Sequence, residues 1–269
     1  MGMTDRTAMG LRRFGRVNWL GLYTLAERET KRFLAVWTQT LLAPLVTAGL
    51  FLSIFTLAIG PARAEVMGVP FVQFLAPGIL MMTVIQNAFA NTSSSIMISK
   101  MQGNIVDTLM PPLSPLELVI GYMAGAVGRS LFVACGIWLA MALFIGAGLA
   151  HPLWALIFVI LGALMVGGLG VVAAIYASKH DQMAAITNFI ITPLSFLSGT
   201  FYSTAGLPPL VRTLTHWNPV FYLIDGLRFG MIGTSDSNPW RGLAVVSVTT
   251  LAVLWLCWFW FKRGYRLKP

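Results

Sequence analysis

Six long apolar runs, at about 36–59, 71–96, 115–149, 153–177, 184–203 and 242–261, take up most of this 269-residue chain. Burying them in a water-soluble core would need a polar coat that the sequence does not have. Only 10% of the residues are charged, against about 25% in soluble domains, and the mean hydropathy is +0.77. About 20 apolar residues carry a helix across the hydrocarbon of a bilayer, so each run can supply one crossing. The reading is an all-α integral membrane protein with six transmembrane helices. Disorder and a disulfide-stapled fold are excluded. Cys135 and Cys257 both sit inside apolar runs, where a thiol behaves as a small hydrophobe, and they imply neither a bridge nor a metal site.

The first run contains Pro44, a kink that a neighbouring helix can accommodate. Residues 60–70 read as a turn-rich link. The third run is longer than one crossing needs, so its first part, 112–125, is expected along or beneath the cytoplasmic interface. The net charge of +9 often marks nucleic-acid binding, but here basic residues flank apolar runs, which points to a bilayer and away from nucleic acid. An even number of spans puts both termini on one side. Thirteen of the 18 basic residues then fall on that side, against Arg63, Arg212, Arg228 and Arg241 outside, so both termini are expected in the cytoplasm. Trp37, Trp258 and Trp260 would mark the inner belt, and Trp154 and Trp240 the outer one.

The chain divides into a cytoplasmic N-terminus with an amphipathic helix (1–35), the six-helix domain (36–261) and a basic cytoplasmic tail (262–269). Residues 1–35 carry no apolar core followed by a cleavage site, so no cleavable signal peptide is expected. Within them, Trp19, Leu22, Tyr23, Ala26 and Phe33 recur at helical spacing opposite Glu27, Arg28, Lys31 and Arg32. That helix is either a surface anchor or a lever joining the membrane to a cytoplasmic partner.

Catalytic patterns are missing. His151, His180 and His216 are isolated from one another, and no GxxxxGK[ST] phosphate loop appears. The chain therefore reads as a non-enzyme without a cofactor of its own. The spans are nearly free of charge. Arg129 either snorkels to the inner headgroups or faces a polar cavity or an anionic lipid group. Two polar stripes stand out: Thr83, Asn87, Asn91 and Ser95 in the second span, and Asn188, Thr192, Ser195 and Gly199 in the fifth. Each is interhelical hydrogen-bond glue or the lining of a substrate path. Residues 200–240 are too rich in aromatic and aliphatic side chains for a solvated loop. Pro208-Pro209 and Asn218-Pro219 each start a helix, so a hairpin dipping into the outer leaflet is expected, with Asp225 and Arg228 as a local ion pair.

Three segments together resemble the permease subunits of ABC-2 type exporters, in particular the YadH-like branch: ERETKRFLAVWTQTLLAPLVT (27–47), QFLAPGILMMTVIQNAFANTSSSI (73–96) with QGNIVDTLMPPLSPLELVIGY (102–122), and residues 191–233. The similarity runs from about residue 20 to the C-terminal Lys-Arg-Gly. No importer-type cytoplasmic loop with Glu-Ala-Ala is present, which argues for export.

The resemblance implies a bacterial inner-membrane subunit that works as a dimer with two copies of a separate ATPase. ATP and Mg would be bound by that partner and not by this chain. It places Glu29, Arg32 and Phe33 on a connecting helix beside the ATPase. Residues 102–110 become a coupling helix, with Gly103, Asn104, Ile105, Asp107, Leu109 and Met110 as contacts, and Lys179 and Asp181 form a secondary contact. The path between copies would be lined by Thr83, Asn87, Asn91, Asn188, Thr192 and Ser195. Residues 205–231 would gate the exit, with Phe201, Tyr202, Pro208, Trp217, Asn218, Pro219, Asp225 and Arg228 as gate residues. The implied cargo is amphipathic: a lipid, glycan, lipid-linked glycan or drug. The alternatives are an ion-coupled secondary carrier or channel, which the missing midplane acids disfavour, and a non-transporting membrane scaffold.

Overall fold

In the computed structural model, residues 17–59 and 65–266 are described. The charges counted at Arg6, Arg12, Arg13, Arg16, Arg63 and Lys268 lie outside the described residues. In chain order the helices are α1 (Trp19–Leu34), α2 (Trp37–Ile59), α3 (Phe71–Met101), α4 (Ile105–Leu109), α5 (Pro115–Ile145), α6 (Pro152–Tyr176), α7 (His180–Ile186), α8 (Thr192–Phe196), α9 (Pro209–Trp217), α10 (Pro219–Ile232) and α11 (Pro239–Arg263). A short antiparallel hairpin, β1 (Glu65–Val66) and β2 (Val69–Pro70), leads into α3 from the link that the turn residues predict. Among the described residues five helices, α2, α3, α5, α6 and α11, are long and apolar enough to cross a membrane.

The most buried of these is α3, enclosed by α2, α5, α6 and α10. Small residues let α6 come close. The Thr92 hydroxyl donates to the Gly167 carbonyl at 2.7 Å, and a Cβ on Gly170 would meet the Phe89 carbonyl oxygen at 2.7 Å. By contrast α2, among its described residues, buries only Thr40 and Ala48 and leaves Leu42, Val46, Leu50, Ile54 and Leu57 exposed, and it continues through Pro44.

Local signals explain the helix starts. Ser114 and Glu117 close a capping box at the head of α5, each side chain accepting from the other's backbone N–H, and Pro115 in the first turn has no N–H to satisfy. From there α5 runs unbroken for 31 residues, about 46 Å. From Pro115 onward the segment expected along or beneath the interface is continuous with the rest of α5, and α1 packs beside it.

The fifth run departs from expectation in the other direction. In place of one continuous span over 184–203, α7 gives way to a π-helical turn at Thr187–Ile191, then to the five-residue α8, then to irregular backbone. Pro193 has no N–H to donate and its ring crowds the carbonyl one turn back; a wider turn before it relieves that conflict.

The bundle has two distinct ends. At one, Lys100 Nζ donates to the carbonyls of Ala174, Ile175 and Ala177 at 3.0, 2.9 and 2.8 Å, holding the last turn of α3 to the last turn of α6. The end of α11 joins them through Arg266 to the Tyr176 carbonyl at 3.2 Å. This α4 end also carries α1 and the start of α5. The opposite, α10 end gathers the starts of α3, α6 and α11 around α9 and α10. There Ala150 and His151 donate to the Met231 and Gly230 carbonyls at 3.1 and 2.8 Å.

Candidate functional site

At the α4 end the chemistry centres on Glu29, a carboxylate on α1 with 0% exposure. Its two oxygens take Arg28 at 3.0 Å, Arg32 at 3.1 Å and the Ser95 hydroxyl of α3 at 2.7 Å. The Arg32 guanidinium reaches α3 as well, donating to Ser94 Oγ at 3.0 Å and to the Asn91 carbonyl and side-chain oxygens at 2.6 and 3.0 Å. From Arg28 a further bond of 2.8 Å runs to Thr108 on α4. Burial opposes the charge on Arg28, but Tyr122 and Glu29 beside it outweigh that, and its pKa is raised. One side chain cluster therefore ties α1, α3 and α4 together.

That contact is possible because α5 presents glycine to α1. A Cβ on Gly125 would stand 2.5 Å from Glu29 Cβ, and one on Gly121 would stand 2.5 Å from Leu25 Cδ2. Phe33 fills the same seam against Phe132, with ring centroids 6.2 Å apart. At the head of α1, the Asn18 N–H donates to Glu117 at 2.8 Å, so the residue that caps α5 also fixes where α1 begins.

The protein-facing side of α1 carries Leu25, Glu29 and Phe33, while Trp19 and Tyr23, of the apolar set that spacing picks out, are exposed. A carboxylate with three partners behaves here as an interior residue. Glu29 and Phe33 are thus closed to an outside protein, and Arg32 is spent mostly on α3. On α4, Ile105 and Thr108 are buried, Leu109 is half-buried, and Gly103, Asn104, Val106, Asp107 and Met110 are exposed, Met110 at 76%. Ile105 is therefore an anchor into the bundle, not a knob for a partner. Gly103 makes the turn into α4 with φ +73°, a left-handed backbone that favours glycine. Lys179, on the loop that follows the Lys100-capped end of α6, and Asp181, in the first turn of α7, are exposed at the same end. A groove of about 320 Å³ lies between α1 and α4, lined by Leu20, Thr24, Arg28, Asp107 and Leu113 among others.

The stripe on α3 faces the chain's own interior. Thr83 donates to the Ile79 carbonyl at 2.8 Å, and Asn87 accepts from Arg129 Nε at 3.1 Å while donating to the Thr83 carbonyl. Asn91 and Ser95 belong to the Glu29 cluster. The fifth-run stripe does not hold one face, because the π turn shifts its register: Asn188 is exposed, Thr192 half-buried, and Ser195 buried with its hydroxyl on the Ile191 carbonyl at 2.7 Å.

At the α10 end, Arg228 is fully buried between two carboxylates. Its guanidinium lies 3.8 Å from Asp225, 3.4 Å from Asp236 and 2.7 Å from the Gly199 carbonyl, and stacks 4.2 Å over the Phe74 ring. Asp225 accepts from the Asp236 and Ser237 N–H groups at 2.7 and 2.9 Å and from the Ser237 hydroxyl at 2.6 Å. The expected ion pair is present but interior, and Asp236 completes it. Nothing in the Thr-Ser-Asp-Ser run distinguished Asp236 from a solvated loop acid. Asn218 caps α10 through the Val220 N–H at 3.0 Å and donates to Ser198 Oγ at 2.8 Å, while Pro219 opens the helix. Phe201 stacks on Phe55 of α2 at 4.4 Å, and the Tyr202 hydroxyl donates to the Leu197 carbonyl. Pro208 and Trp217 bracket α9 on the surface, with Trp217 at 83% exposure.

The sequence of this chain is similar to known proteins along almost its whole length. The inner membrane transport permease YadH of Escherichia coli (strain K12) is 33% identical over 250 residues, which is 93% of this chain and 98% of that protein. Nodulation protein J of Rhizobium leguminosarum bv. viciae is 26% identical over 243 residues, covering 87% of this chain and 90% of the relative. Nodulation protein J of Sinorhizobium fredii (strain NBRC 101917 / NGR234) is 23% identical over 253 residues, 92% of each. The profile of the ABC-2 type transporter family matches residues 21–232, from the first turns of α1 to the last residue of α10, and this chain belongs to that family of membrane transport permeases.

Proposed function

We propose that this chain is the membrane subunit of an ATP-driven exporter in a bacterial inner membrane. It works as a pair with two copies of a separate ATPase, which binds ATP and Mg. The chain crosses the bilayer six times, with α7, the π turn and α8 as a discontinuous fifth crossing, and both termini lie in the cytoplasm. The observation that carries the reading is the bonded path from α4 through Arg28 to Glu29 and on to Ser95. An ATPase seated on Val106, Asp107, Met110, Gly103 and Asn104, with Lys179 and Asp181 as a second contact, would move α4. Through Arg28 and Glu29 the displacement reaches α1 and α3 as a rigid unit, so closure of the ATPase dimer biases one arrangement of the spans over another.

Cargo travels on the seam between two copies. Where α2 meets α8 through Phe51 and Phe196, the uncovered apolar side chains Val46, Leu50 and Ile54 of α2 and Phe189 ahead of α8, with exposed Asn188 as a polar position, offer a face for an amphipathic molecule. Thr83, Asn87, Asn91 and Ser195 act behind that face by fixing α3 and α8 in place. On the outer side α9 and α10 form a re-entrant hairpin whose movement, with Phe201 and Tyr202, opens the exit.

Co-expression with an ATP-binding cassette subunit and purification through a tag on this chain tests the proposal. The expected result is a complex of two permeases with two ATPases whose ATP hydrolysis drives uptake of an amphipathic dye into inverted vesicles. Dye transport that follows an ion gradient and ignores ATP would overturn it.

A further inference from the structure

A cavity of about 680 Å³ opens at the α10 end between α9 and the first turns of α11, a size within the usual range for small-ligand sites. Arg212, His216 and Trp217 of α9 line one wall and Arg241 of α11 the other, with Asp236 at the base. The base is already committed: Asp236 takes the Ser203 hydroxyl, the Thr204 N–H and Arg228. His216 is packed edge-on to Phe221, with centroids 5.0 Å apart. Arg212 and Arg241 differ. Both are exposed, and neither has a hydrogen-bond or ion-pair partner among the described residues.

The surroundings say what depth this cleft occupies. Leu210, Leu214 and Trp217 on α9 and Trp240 beside Arg241 are uncovered. An apolar helix flank with exposed tryptophans belongs at a membrane interface, where the rings sit at headgroup level. Two unpaired guanidinium forks at that depth match the planar, bidentate recognition of a phosphate. We propose that this cleft binds the headgroup of one anionic phospholipid, its phosphate held between Arg212 and Arg241 with Trp217 against the glycerol. A bound lipid would then brace α9 against α11 at the gate. The assignment of this leaflet as the outer one rests on the export reading; lipid binding itself does not.

The test uses the full chain in nanodiscs, without an ATPase, so it can fail or succeed independently of export. Nanodiscs of phosphatidylcholine receive phosphatidylglycerol brominated near the carbonyls, and the quenching of Trp217 is taken as the difference between the parent and Trp217→Phe. Trp217 quenching by phosphatidylglycerol is expected to exceed that by brominated phosphatidylcholine. Arg212→Gln and Arg241→Gln should each weaken it about fivefold and together about thirtyfold, with thermal unfolding unchanged because neither side chain has an internal partner. Excess inorganic phosphate should leave the quench in place. Equal quenching by the two lipids, an unaffected double variant, or displacement by free phosphate would each overturn the proposal, the last by making the occupant a soluble phosphate.

Discussion

The bond between Glu29 and Ser95 joins α1 to α3, and its loss can be measured by a double-mutant cycle. Glu29 is fully buried and Ser95 is 5% exposed, with 2.7 Å between oxygens. Interhelical hydrogen bonds between neutral groups in membrane proteins average about 0.6 kcal/mol. An ionised acceptor raises the expectation to about 1.5–3 kcal/mol. The two arginines add less, since their side chains are 43% and 31% exposed and water screens them; about 0.5 kcal/mol each is appropriate. Glu29→Gln should therefore cost about 2–3 kcal/mol and Ser95→Ala about 1.5 kcal/mol, with a coupling of about 1 kcal/mol or more. The assay is unfolding of the full chain in mixed micelles by added dodecyl sulfate, followed by circular dichroism. Effects that add to within about 0.3 kcal/mol would show that the two residues do not interact, and the mechanical link from α1 to α3 would fail.

Three further outcomes follow from the packing. Arg228→Met should destabilise by about 3–5 kcal/mol, since it strands the buried carboxylates of Asp225 and Asp236; a loss below about 1 kcal/mol in the same micelle assay would contradict the triad. Gly78→Val should cost at least about 1–3 kcal/mol, because a Cβ there would lie 2.5 Å from the Thr200 carbonyl oxygen, a backbone atom that cannot swing aside. Gly49→Val, with nothing within 4 Å, should be nearly neutral, and equal effects at the two sites would refute the packing. Lys100→Met should lower thermal stability by about 1–3 kcal/mol, as it leaves three carbonyls at the end of α6 without their shared donor; an unchanged melting temperature would count against that cap.

Much of the scaffold is legible in residue pattern because lipid imposes a simple rule: apolar runs of bilayer length become helices. The starts of α5, α10 and α11 can be read from Ser114-Pro115, Asn218-Pro219 and Asn238-Pro239, since capping is local chemistry. The break in the fifth run is harder to see. Its polar residues Asn188, Thr192 and Ser195 are spaced as on one unbroken helix, and a π turn before Pro193 is a backbone adjustment that neither spacing nor hydropathy registers. The candidate site is less legible still. Spacing by four identifies the face that Asn87, Asn91 and Ser95 share, but what covers that face is a tertiary fact; Arg129, Arg32 and Glu29 cover it. For the same reason an apolar residue on a short loop helix has two destinations. Ile105 went inward, and Val106 and Met110 were left outside. Family resemblance points to the segment as a whole, and only the fold sorts its faces.

That sorting makes it possible to test whether an ATPase takes hold of the chain at α4. Single cysteines are placed at Ile105, Val106, Thr108 and Met110 in a background without Cys135 and Cys257, and the chain is co-expressed with its ATPase subunit. A thiol-directed photocrosslinker then reports which positions face the partner. Cross-links are expected from Val106 and Met110, which are exposed, and none from Ile105 and Thr108, which are buried against the bundle. Cross-links from all four positions, or from none of them while the ATPase still co-purifies, would contradict docking at α4.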